Sequence, residues 1–221
     1  MIRIYFWTIS PKSIPWAISR MALDRRILAK NSAISFWKLL GSGKGETFTP
    51  SDADPLRWGL IVSIDETALL DFEQSSLMRR WNERSLSAFA ATLQPISSQG
   101  KWSRRTPFDA DTDLGKTWEG PVAAITRARI KWRKNVIFWR SVPPVTLSLH
   151  HSPGLIAAIG IGEAPIGLQG TFSLWQNSAA IRDFAYKGAA HKEVIRATHR
   201  EQWYAEELFA RFAVTEQSGS L

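Results

Sequence analysis

One histidine stands where a metal-binding side chain would be placed. His191 opens the run His191-Lys192-Glu193-Val194-Ile195-Arg196. The pattern predicts a helix with the histidine in its first turn. There the helix dipole disfavours the protonated ring, and a neutral imidazole is the form that binds a metal. Val194, Ile195 and Thr198 lie three, four and seven residues on, so His191 heads a mostly apolar helix face. A porphyrin lying against that face would find one iron ligand and an apolar wall. The plain alternative is a helix-start histidine bonded to a backbone carbonyl. His199 falls about 80° further round the same helix, without the i,i+4 spacing by which two histidines share a metal. His150-His151, beside Pro153-Gly154, reads as a loop pair. No HExxH, facial-triad or Ser/His/Asp pattern is found.

Cationic side chains recur beside aromatics. Lys38 follows Phe36-Trp37, Arg127 and Arg129 alternate along one strand face, and Lys131 and Arg133 flank Trp132. Such groups could pair with propionates or other carboxylates. The same interleaving suits single-stranded nucleic acid, and a solvent-facing basic row is the plain reading. The loop Gly41-Ser42-Gly43-Lys44-Gly45 lacks P-loop spacing, and no helix start follows it. Gly160-Ile161-Gly162 leads into another strand, which removes the dinucleotide reading.

These residues sit in a chain of 221, of which 44% are hydrophobic, enough for a sizeable interior. The absence of cysteine excludes disulfides, zinc-thiolate sites, iron–sulfur clusters and thiolate-ligated heme. It fits a reducing, cytoplasmic setting. Eleven tryptophans fill a core or line a wide apolar cleft. The net charge of +8 suggests an anionic partner: nucleic acid, a membrane surface or ligand carboxylates. No apolar run approaches the ~20 residues of a membrane span. The opening Ile2 to Ile9 reads as a first strand rather than a signal peptide.

The elements that would position the site recur in order. Strands are expected over Ile2–Thr8, Ile34–Leu40, Leu56–Ile64 and Ser85–Ile96, with helices over Ser13–Ala29 and Glu66–Arg80. Within the fourth strand Phe89, Ala91 and Leu93 alternate against polar or small neighbours. After the polar, basic stretch Ser97–Gly120 come strands over Pro121–Ile130, Leu155–Ile161, Gly167–Trp175 and Leu208–Val214. Helices are expected over Arg133–Val142 and from Asn177 to about Gln202, with a break at Gly188. Both halves spell β-α-β-β-α-β, the ferredoxin-like order. The fold class expected is α+β: duplicated ferredoxin-like units forming a dimeric α/β-barrel-type body. Residues 1–97 would form the N-terminal half, 98–119 a connecting loop, 120–215 the C-terminal half carrying His191, and 216–221 a tail.

Four separated blocks resemble the spheroidene monooxygenase family. They are Ile34-Ser35-Phe36-Trp37-Lys38-Leu39-Leu40-Gly41-Ser42-Gly43, Gly120 to Ala128, Gly160 to Trp175, and His191 to Phe212. Their order and spacing agree with the family from about Ile2 to Val214. The resemblance implies a bacterial heme-containing monooxygenase of dimeric α/β-barrel fold. Such enzymes convert a methylene near the end of an acyclic carotenoid into a ketone by two successive oxygenations. It implies heme b as cofactor, dioxygen as co-substrate, a hydrophobic substrate and an electron donor. Under it His191 becomes the axial ligand. Lys38 and Arg127 become catalytic candidates, and Arg129 a propionate partner. Val194, Ile195, Trp37, Phe172 and Trp175 become the cofactor wall. A homo-oligomer and peripheral contact with an anionic membrane are further expectations, and no specific nucleic acid is expected. Alternatives are a heme enzyme of another class (a dehydratase or peroxide-using enzyme), a cofactor-free monooxygenase, and a basic module for nucleic acid or an anionic surface.

Overall fold

A computed structural model describes residues 1–44, 52–131, 133, 149–163, 168–187 and 204–221. The N-terminal half contains β1 (Ile2–Ile9), α1 (Ile14–Lys30), β2 (Ile34–Gly43), β3 (Ala53–Ile64), α2 (Leu69–Glu73), α3 (Ser76–Arg84) and β4 (Ser85–Gly100). After α4 (Thr112–Thr117) come β5 (Val122–Ile130), β6 (Leu155–Gly162), β7 (Leu168–Trp175), α5 (Ser178–Lys187) and β8 (Tyr204–Gly219).

Alternation along each strand separates an inner from an outer face. In β1, Ile2, Ile4 and Phe6 turn inward, while Tyr5, Trp7 and Ile9 turn outward. The same parity directs Phe89, Ala91 and Leu93 of β4 inward. Closing the sheet buries all these inner faces at once. The described strands form a closed barrel in the order β1-β3-β2-β6-β7-β5-β8-β4, and every pairing is antiparallel. The order within each half is the same, with the fourth strand beside the first, then the third, then the second.

The seams between halves are unequal. β4 and β8 share eleven paired positions, from Phe89↔Gly219 to Gly100↔Leu208. Among the described residues β2 and β6 share three: Gly41↔Gly162, Ser42↔Ile161 and Gly43↔Gly160.

The interior is packed solid. Phe6 crosses from β1 to meet Phe172 of β7, with ring centroids 5.3 Å apart. Leu40, Ile125, Ile159, Leu174 and Phe212 fill around them. Room for the Phe6 ring comes from Gly59, where a Cβ would stand 2.8 Å from Phe6 Cε1. Gly59→Ala is therefore expected to cost about 1–3 kcal/mol through overpacking, read as a lower urea midpoint.

Helices cover the outer faces. Ala17 and Leu28 of α1, Phe72 of α2, and Leu77, Met78 and Trp81 of α3 pack against Tyr5, Trp7, Leu39, Leu60 and Val62. In the C-terminal half, Ile181 of α5 packs with Val122, Ala124, Trp175 and Ala213.

Several expected boundaries shift. The helix expected over Glu66–Arg80 is interrupted after Glu73, because Ser75 starts α3 by accepting the Met78 amide at 3.4 Å. The expected connecting loop 98–119 begins as strand, turns tightly at 102–105 and includes α4. The expected tail 216–221 is largely strand, since Glu216 to Gly219 pair with Thr92 to Phe89. The helix expected over Arg133–Val142 lies almost wholly outside the described residues.

Candidate functional site

Three inward positions carry charge instead of hydrocarbon. Lys38 lies between Phe36 and Leu40 on β2, Arg127 follows Ala123 and Ile125 on β5, and Glu206 precedes Leu208 and Ala210 on β8. Strand parity places all three on the barrel's inner side, at one end. Burying a charge there is costly unless it is paired, and each one is.

Glu163, one residue beyond β6, is the hub. Its Oε2 accepts from Lys38 Nζ at 2.6 Å, and its Oε1 accepts from Arg127 Nη2 at 3.2 Å and Trp102 Nε1 at 2.5 Å. The other terminal nitrogen of Arg127, Nη1, donates to Glu206 Oε1. Glu206 also accepts the amides of Ser103 at 3.0 Å and Arg104 at 2.6 Å. Burial alone would raise the Glu206 pKa. Hydrogen bonds from the Arg104 amide, the Arg127 guanidinium and the Ser103 amide outweigh it and hold the carboxyl below the usual range. Glu206 thus adds stability above its unfolded pKa, and that share is lost as pH falls through the lower folded value. The guanidinium also lies 5.8 Å from the Trp102 ring centroid, and its buried Nε has no partner.

The structure brings Lys38 and Arg127 onto one carboxylate and corrects the solvent-facing row expected on β5. Arg127 is 4% exposed, whereas Arg129, nearer the strand end, is exposed. With their charge matched by Glu163 and Glu206, Lys38 and Arg127 are not free to bind propionates. Glu163 and Glu206 were not singled out from sequence. The signal for Glu206 was present: it shares its parity with Leu208, Ala210 and Phe212.

The expected aromatic wall is not assembled. Phe172 is inside the barrel, Trp37 packs on the outer face under the N-terminal helices, and Trp175 is on the outer face under α5. His191, Val194, Ile195 and His199 lie outside the described residues. Among the described residues no group of three or more His, Asp or Glu could hold a metal ion. No helix among them is long and apolar enough to cross a membrane.

The apolar cluster occupies the barrel's interior. The outer face of the C-terminal sheet offers a different surface. There Ala124, Ala128 and Ser173 are small and buried, while Thr126 and its partner Phe209 are exposed. Half-buried Arg211 is opposite Ala124 on that face.

Comparison with known proteins gives a consistent assignment. The chain is 37% identical over 210 residues to the spheroidene monooxygenase of Rhodobacter capsulatus, covering 94% of this chain and 87% of that protein. It is 32% identical over 202 residues to the spheroidene monooxygenase of Cereibacter sphaeroides, covering 90% of this chain and 61% of that longer protein. No protein-family model matches. Among solved structures, an aldoxime dehydratase superposes with a TM-score of 0.62 at 9% identity, covering 99% of this chain and 82% of that one. Another, in complex with butyraldoxime, gives 0.58 at 10% identity, covering 96% and 78%. These likenesses establish the fold.

Proposed function

This chain belongs to the spheroidene monooxygenase family, and on that footing we propose a heme-dependent monooxygenase that oxygenates a hydrophobic, carotenoid-like substrate. The observation that carries the reading is the match to a named monooxygenase along 94% of the chain.

We read the barrel as two ferredoxin-like units, supported by the identical strand order of its halves. Heme b would lie on the second unit's outer face, with Arg211 pairing a propionate. His191 follows the end of α5 by four residues, and Ile181 of α5 packs on this face. His191 is the ligand we assign. The bound heme supplies the oxygen-activating chemistry. The protein's residues do the rest. Exposed Phe209 offers apolar contact to a substrate on that face. The Lys38–Glu163–Arg127–Glu206 network lies behind this sheet, inside the barrel, where it positions β2, β5, β6 and β8 relative to one another.

Hemin titration tests the assignment. The wild-type protein is expected to develop a Soret band that shifts and weakens in His191→Ala and persists in His199→Ala. Loss only in His199→Ala would move the ligand and keep the cofactor. No saturable Soret change in the wild type would overturn the heme reading. Product analysis under dioxygen with a reductant then separates oxygenation from dehydration or peroxide chemistry.

A further inference from the structure

We infer that the hairpin 101–108 is a removable plug, and that the slot it fills takes the end of an extended apolar chain. The occupant's identity rests on the monooxygenase reading; the plug itself rests on geometry.

Among the described residues, β6 pairs with β2 only at Gly41, Ser42 and Gly43. The hairpin occupies the side of β2 that the ladder leaves open. Arg105 Nη1 donates to Ser35 O at 3.1 Å, and Lys38 Nζ donates to Ser103 Oγ at 2.5 Å. Trp102 and Phe108 place their rings 5.5 and 5.8 Å from Phe36, and Phe108 lies 5.1 Å from Phe212. Both rings belong to the barrel's interior cluster, though they come from outside the strands. They fill space that an apolar chain could fill in their place.

The hairpin is held in an unfavourable backbone shape. Ser103 and Arg104 have φ of 54° and 63°, the left-handed region that residues with a Cβ avoid. Glu206 holds that shape by accepting both amides, and Glu163 holds Trp102 through its indole N–H. At the hairpin's base Gly100 has φ of 95°, a position suited to a hinge. Past the Lys101 amide on Glu207 O, the hairpin adds nothing to the β4–β8 ladder, so swinging it outward opens no barrel pairing. The charges need not be stranded either. Lys38–Glu163, Arg127–Glu163 and Arg127–Glu206 pair without any hairpin atom.

The test uses 1,6-diphenyl-1,3,5-hexatriene, a neutral apolar polyene that fluoresces when shielded from water, and the full chain without heme. Glu206→Gln weakens the latch, and loss of a charge-assisted contact corresponds to about tenfold in the opening equilibrium. Amide exchange over 101–108 is then expected to accelerate about tenfold, with tighter triene binding. Arg104→Gly relieves the left-handed strain in the closed hairpin and is expected to do the opposite on both readouts. This second variant favours the native state, so it keeps the test valid if Glu206→Gln fails to fold. Triene affinity unchanged in Arg104→Gly, or faster exchange in Glu206→Gln without tighter binding, would overturn the proposal. Neither result touches the Soret experiment, so the slot and the heme assignment fail independently.

Discussion

Replacing Arg127 with methionine is expected to cost about 3–5 kcal/mol of unfolding free energy at neutral pH, the range for removing one partner from a buried ion pair. The Arg127 side chain is 5% exposed and bridges carboxylates that are 9% and 7% exposed. Methionine occupies similar volume, so the loss reports charge rather than a cavity. Glu163 keeps Lys38 and Trp102, and Glu206 keeps the Ser103 and Arg104 amides, which places the cost toward the lower end. Without the guanidinium the Glu206 carboxyl, held below the usual range in the wild type, is easier to protonate in the folded state. The gap between variant and wild type should therefore narrow as pH falls toward ~4, near the ordinary glutamate value. Urea titrations at neutral and acid pH measure both effects. A gap independent of pH would mean that the destabilisation is not electrostatic. Arg127→Lys is expected to recover only part of the loss, because one ammonium does not reproduce a fork that reaches two separate carboxylates.

Phe172→Ala is expected to cost about 3–5 kcal/mol, the range for deleting a fully buried aromatic ring. Phe172 has no solvent exposure, and its ring meets Phe6 across the barrel. The β-strands around the vacancy are fixed by ladders to two neighbours each, so the wall has little freedom to collapse. Equilibrium urea unfolding followed by circular dichroism gives the value. Phe172→Leu, which leaves a smaller void, should lose less. A change below about 1 kcal/mol for the alanine variant would show that the interior relaxes, contrary to the usual cost of a core vacancy.

Much of the strand order was legible because it depends on local alternation. Phe89-Ala91-Leu93 read as an inward face and is one, and all eight expected strands are present in the barrel. The helix break at Ser75 was missed because a serine cap competes with an otherwise continuous apolar pattern. The charged site was legible only in part. Lys38 and Arg127 stood out by type, and their parity with Phe36, Leu40 and Ile125 already placed them on an apolar face. Their partners could not be named, because Glu163 is 125 residues from Lys38 and Glu206 is 79 from Arg127. Only closure of the barrel brings those positions together. The expected wall of Trp37, Phe172 and Trp175 failed for a related reason. Residue type does not reveal which side of a closed sheet a ring occupies. Parity does: Trp37 is out of phase with the inward Phe36 and Leu40 of β2, whereas Phe172 is in phase with the inward Leu174 of β7.

Among the described residues, eleven paired positions on one seam and three on the other give the shell a spine and a clasp. Thermal breathing should concentrate at the clasp, the two sheets swinging apart like the covers of a book while the spine stays bound. Deuterium uptake at Gly41 to Gly43 and Gly160 to Gly162 ought then to precede uptake at the centre of β4, and strengthening the spine further would do little to slow it.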